Sequence, residues 1–121
     1  VNAFANLHRG MGLYLGKHVG AQDAVVFVGD RHFEWVPPMM DDVYHYYGKP
    51  THPHVAMSYA FASGKLAADL AGYRHVWVVA RTGQSTAGYL PGATSDSVRT
   101  FADFCTVRCF TIPSVGSVPA P

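Results

Sequence analysis

Two uninterrupted apolar runs, Ala24-Val25-Val26-Phe27-Val28 and His75-Val76-Trp77-Val78-Val79-Ala80 after its first residue, constrain this chain more than any other feature. A strand that alternates apolar and polar residues can keep one face in water, whereas a strand apolar at every position has to be covered on both. Both runs are rich in β-branched residues, and Gly20-Ala21-Gln22-Asp23 supplies a turn before the first. They predict two inner strands of a sheet with further layers over it.

The remaining elements follow from periodicity. Phe4, Leu7, Met11, Tyr14, Leu15 and Val19 recur at three- and four-residue steps, which predicts a helix from Phe4 to about Val19 despite Gly10, Gly12 and Gly16. Each glycine costs a helix interior about 1 kcal/mol relative to Ala, so this helix needs packing to persist. Pro37-Pro38 belongs at the first turn of a short helix reaching Tyr47. Gly48 to His54 reads as a loop, because Pro50 and Pro53 push the residues before them out of helical geometry. Val55 to Tyr59 is a short strand, Lys65 to Ala71 a helix ending at Gly72, and Arg81 to Gly92 a glycine-rich loop. Ser95 as an N-cap, Asp96 in the first turn, and Val98, Phe101, Ala102 and Cys105 on one face predict a last helix to about Phe104. Thr106 to Ile112 is the final strand, stopped by Pro113.

Helices alternating with strands predict a small three-layer α/β sandwich, Rossmann-like, with a mostly parallel sheet of about four strands. Residues 1–113 form one domain and 114–121 a flexible tail. The chain of 121 residues allows one core and no second domain of ordinary size. Its hydrophobic fraction of 49% excludes disorder, and a net charge of +1 gives no field to gather nucleic acid. No apolar stretch is long enough to span a membrane, and no export signal opens the chain. The start at Val1-Asn2-Ala3-Phe4 without Met suggests a piece of something longer.

Parallel sheets bind ligands beyond the carboxyl ends of their strands. This nominates Asp30, Arg31, His32 and Trp35 after the first strand, and Arg81, Gln84 and Ser85 after the third, as a polar pocket with an acid, a base and a cation. The same residues also suit a plain solvated loop edge. No G-x-G-x-x-G follows the first strand, no P-loop is present, and Ser85 lacks the flanking glycines of a nucleophile elbow, so no nucleotide cofactor and no catalytic residue are assigned. His32, His52 and His54 could approach a zinc or copper ion, but without a third ligand at fixed spacing they read as loop histidines and no metal is assigned. Cys105 and Cys109 are either a short-range disulfide or two buried thiols. Phe33, Trp35, Tyr44, Tyr46 and Tyr47 around Pro37-Pro38 suit either core packing or stacking on a sugar ring.

Three segments together carry a resemblance: Gly20-Ala21-Gln22-Asp23-Ala24-Val25-Val26-Phe27, Val43-Tyr44-His45-Tyr46-Tyr47 and Tyr73-Arg74-His75-Val76-Trp77-Val78-Val79. Their order resembles the extracytoplasmic carboxy-terminal domain of bacterial multi-spanning glycosyltransferases of the protein mannosyltransferase and aminoarabinose-transferase type, over about residues 4–112. The family transfers a sugar from a polyprenyl-phosphate donor and keeps its catalytic carboxylate in an early loop near the first membrane helices, a region with no counterpart here. The resemblance therefore implies a non-catalytic accessory domain at the outer face of the bacterial plasma membrane. Its implied partners are the transmembrane module of the same parent chain and a lipid-linked sugar or acceptor. The histidine-rich loop from His45 to His54 departs from the family pattern. The alternative reading is a freestanding ligand-binding or enzyme domain using the polar strand-end residues.

Overall fold

A computed structural model describes residues 3–29, 36–51, 54–58, 70, 72–82, 94–101 and 105–112. Helix α1 spans Ala3–His18 and strand β1 Asp23–Val28. Helix α2, Val36–Val43, continues into a π-helical turn at Tyr44–Gly48. Strands β2 (His54–Ser58), β3 (His75–Arg81), β4 (Thr94–Phe101) and β5 (Cys105–Thr111) complete the described elements. Among the described residues no helix is long and apolar enough to cross a membrane.

The sheet has five strands in the order β2-β1-β3-β5-β4. β1 lies parallel to β2 and to β3, while β5 runs antiparallel to both β3 and β4. The all-apolar runs thus occupy the inner positions their composition demands, and Ala24 to Val28 and Val76 to Ala80 are buried throughout. Val25, Phe27, Trp77, Val79, Cys105, Val107 and Cys109 pack on one face against Met11 and Leu15 of α1, Met40 and Val43 of α2, and Tyr44. The opposite face gathers Ala24, Val26, Val28, Val76, Val78 and Ala80 with Leu70, flanked by Tyr73, Phe110 and Ile112.

The expected mostly parallel, Rossmann-like three-layer sandwich is therefore corrected to a mixed sheet, and α1 and α2 pack on the same face of it. The cause lies at Thr94–Phe101, where the predicted last helix is the edge strand β4. Its hairpin partner β5 pairs from Phe101↔Cys105 back to Thr94↔Thr111, which turns the end of the chain antiparallel. Ser95 and Asp96 mark a register irregularity in that ladder, not a helix cap. The predicted helix at Lys65 to Ala71, apart from Leu70, and the tail at 114–121 lie outside the described residues.

Two of the three glycines that weaken α1 on propensity have a packing role. A Cβ at Gly16 would stand 2.4 Å from the Cα of Gly48 and 2.6 Å from its carbonyl oxygen. One at Gly12 would stand 2.9 Å from the carbonyl oxygen of Val43. Gly12 and Gly16, one turn apart, let α1 lie backbone to backbone against the end of α2 and the π-helical turn. Pro37 and Pro38 sit in the first turn of α2, where the missing N–H groups cost no helical bond.

Cys105 and Cys109 are free and buried. Four positions apart on one strand, their Cα atoms are separated by about 13 Å, which excludes a bridge between them. Burial pushes the Cys105 thiol from 9.0 up to about 12. The folded state then holds this proton more tightly than the unfolded state does. The associated stability is fully present below the ordinary thiol value and is lost as the pH rises toward the folded one, at about 1.4 kcal/mol per pH unit. Urea unfolding across this alkaline window should show the loss, and Cys105→Ala should flatten the slope while lowering stability at neutral pH. An identical slope in the variant would remove the thiol as its source.

Candidate functional site

β1 and β3 start side by side with Asp23 opposite His75, so Asp23, His75 and Trp77 all project from the face that carries α1. The turn between α1 and β1 locks the first of these. Asp23 N–H donates to the Gly20 carbonyl at 3.1 Å, and Gly20 N–H donates back to Asp23 Oδ2 at 2.9 Å. Trp77 Nε1–H donates to the same oxygen at 3.1 Å. The other oxygen, Oδ1, lies 3.4 Å from His75 Nδ1. A single carboxylate, only 10% exposed, thereby ties the turn, an indole and an imidazole together. Trp77 is held from the helix side by the edge of the Tyr14 ring, 6.0 Å away, and by His18 at 6.3 Å.

Beside this carboxylate a cleft of about 240 Å³ opens between the end of α1 and the π-helical turn. The end of α1 lines it with Gly16, the turn before β1 with Val19, Gly20, Ala21 and Asp23, and the π-helical turn with Tyr44 and Gly48, followed by Lys49, Pro50 and Thr51. Gly16 and Gly48, which both line the cleft, approach backbone to backbone. Lys49 caps the π-helical turn in the left-handed region, at φ 48° and ψ 52°, with its N–H donating to the His45 carbonyl at 3.3 Å. Left-handed geometry is unusual for a residue with a Cβ, and π-helical turns recur at functional positions. Tyr44 is 1% exposed, and its phenol is pushed above the ordinary value by burial and by the nearby Asp41 and Asp23 carboxylates.

A second carboxylate–imidazole pair links α2 to the π-helical turn. His45 Nδ1–H donates to the Asp41 carbonyl oxygen at 2.9 Å, and Asp41 Oδ1 stands 3.0 Å from the same nitrogen. The ring N–H is directed to the backbone oxygen, which leaves Asp41 Oδ1 buried without a hydrogen bond of its own. Burial accordingly raises the Asp41 pKa, with Asp42 adding to the rise and His45 opposing it.

Of the residues nominated from sequence, Arg81 ends β3, at the opposite end of the parallel β1–β3 pair from Asp23. Asp30, Arg31, His32, Trp35, Gln84 and Ser85 lie outside the described residues. His54 opens β2, while His52 lies outside the described residues with His32. Among the described residues no group of three or more His, Cys, Asp or Glu side chains is placed to hold a metal ion. The aromatic cluster divides: Tyr44 is buried in the core, Tyr47 packs against it, and Tyr46 is 71% exposed. Sequence reasoning missed Asp23, Tyr44 and Lys49 as partners, since nothing in the order of residues joins a turn, a helix end and a loop. The Gly48-Lys49-Pro50 punctuation, which reads as a loop, was the nearest thing to a signal. No known protein family, no curated protein and no solved structure matches the chain.

Proposed function

We propose that this chain is the non-catalytic, extracytoplasmic accessory domain of a membrane glycosyltransferase that uses a polyprenyl-phosphate sugar donor. It docks on the transmembrane module of the same parent chain and helps shape the donor or acceptor site from above. The observation that supports this reading is convergence. The segments that carry the resemblance are far apart in sequence, yet Gly20 and Asp23 from the first, Tyr44 from the second, and His75 and Trp77 from the third meet at one cleft and its carboxylate. Tyr44 and Asp23 line the cleft together, and Trp77 and His75 join it through the Asp23 carboxylate.

The coding frame upstream of Val1 tests the reading. It is expected to encode about eight or more apolar segments of roughly 20 residues each, with an Asp or Glu in the first loop. A start codon beside Val1 would overturn it and leave a freestanding ligand-binding domain in its place.

A further inference from the structure

We propose that the cleft between the end of α1 and the π-helical turn is a subsite for one uncharged, polyhydroxylated ring, a monosaccharide unit, gripped between the Asp23 carboxylate and the Lys49 ammonium. As an account of how the domain serves sugar transfer, this rests on the function proposed above. The argument for the ligand rests on the lining. A carboxylate has about four acceptor positions, and Gly20 N–H and Trp77 Nε1–H occupy two of them on Oδ2. Those bonds and the neighbouring His75 fix the rotamer, so Asp23 enters the cleft already oriented, with acceptor capacity left over.

Lys49 supplies the opposite chemistry. Gly is the residue that ends a helix in left-handed geometry without strain, yet Lys stands there, exposed and among the residues that line the cleft, which brings a cation to its rim. One carboxylate and one ammonium give the lining no net charge, so its net field selects neither anions nor cations over a neutral ligand. Hydroxyl groups satisfy both ends, donating to the carboxylate and accepting from the ammonium and from Thr51. Val19 and Pro50 offer apolar surface to the C–H face of such a ring. At about 240 Å³ the space falls short of pockets for drug-sized ligands, roughly 300–1,000 Å³, and suits a single ring.

The test is a titration of the isotopically labelled chain with mannose, glucose, galactose and N-acetylglucosamine, followed by amide chemical shifts, with inorganic phosphate and methylammonium as charged probes. At least one sugar should produce saturable shifts at Gly16, Gly20, Lys49 and Thr51, with a dissociation constant in the millimolar range. Lys49→Gly should weaken that binding at least about fivefold while leaving the thermal midpoint unchanged or higher, because glycine adopts the left-handed geometry freely. Absence of saturable shifts with all four sugars would overturn the subsite. Wild-type affinity in Lys49→Gly, or tighter binding of either charged probe, would do the same. The two proposals fail separately: upstream membrane spans without sugar binding would remove only the subsite, and sugar binding by a chain whose frame starts beside Val1 would remove only the transferase reading.

Discussion

Gly16→Ala is expected to destabilise the protein by about 3 kcal/mol, lowering the thermal midpoint by roughly 10 °C. The new methyl group would stand 2.4 to 2.9 Å from three backbone atoms of Gly48. Backbone cannot rotate aside as a side chain can, so α1 and the π-helical turn have to separate, and Met11, Leu15, Val43 and Tyr44 lose contact where they now meet. Helix propensity works the other way, favouring Ala by about 1 kcal/mol. Overpacking at this distance outweighs that gain. Gly10→Ala isolates the propensity effect, because its methyl meets only the Phe101 ring edge at 3.2 Å, which can yield. That variant should be neutral or slightly more stable. Thermal or urea unfolding of the pair decides the matter, and equal stability of the two variants would mean that α1 is not held by backbone approach.

The same helix shows what a sequence discloses and what it withholds. Its apolar period was legible because Met11 and Leu15 face a sheet whatever the partner is. The glycines registered only as a cost, since their benefit depends on Gly48, which is remote in sequence. β1 and β3 were legible for a related reason: burial on both faces leaves no room for polar residues. β4 was not. Thr94 to Phe101 is an exposed edge strand, so no hydrophobic constraint marks its period, and a Ser-Asp pair that suits a helix cap also suits a ladder irregularity. The β-branched Thr94, Val98 and Thr100 were the better guide. Misreading this single edge changed the sheet from mixed to parallel.

The parallel reading also fixed attention on one end of the strands. A parallel sheet directs the search to carboxyl ends, hence to Arg81 and its neighbours, whereas the described cleft lies where β1 and β3 begin. Asp23 looked like a turn residue and is one. Its further role depends on Trp77, which lies 54 residues later and is brought beside it only by the parallel register.

Asp23→Ala should cost about 3 kcal/mol and Asp23→Asn about 1 kcal/mol, the difference arising from what happens to Trp77. Alanine leaves the partly buried indole N–H without an acceptor and opens the turn at Gly20, where water can replace the lost bond. Asparagine retains a carbonyl oxygen for both donors and forfeits only the attraction to His75. A double-mutant cycle separates the bond from the cost of altering either residue. Trp77→Phe removes the N–H, so Asp23→Ala should be less damaging in that background than in the wild type by about 1 kcal/mol or more. Asn at 23 adds a second discrimination, because its neutral oxygen is a weaker acceptor for hydroxyl donors than a carboxylate. Monosaccharide affinity should fall in Asp23→Asn even though the fold stays nearly as stable as the wild type. Strict additivity in the cycle would show that Trp77 does not depend on Asp23, and the orientation of the carboxylate would then rest on the Gly20 N–H and His75 alone.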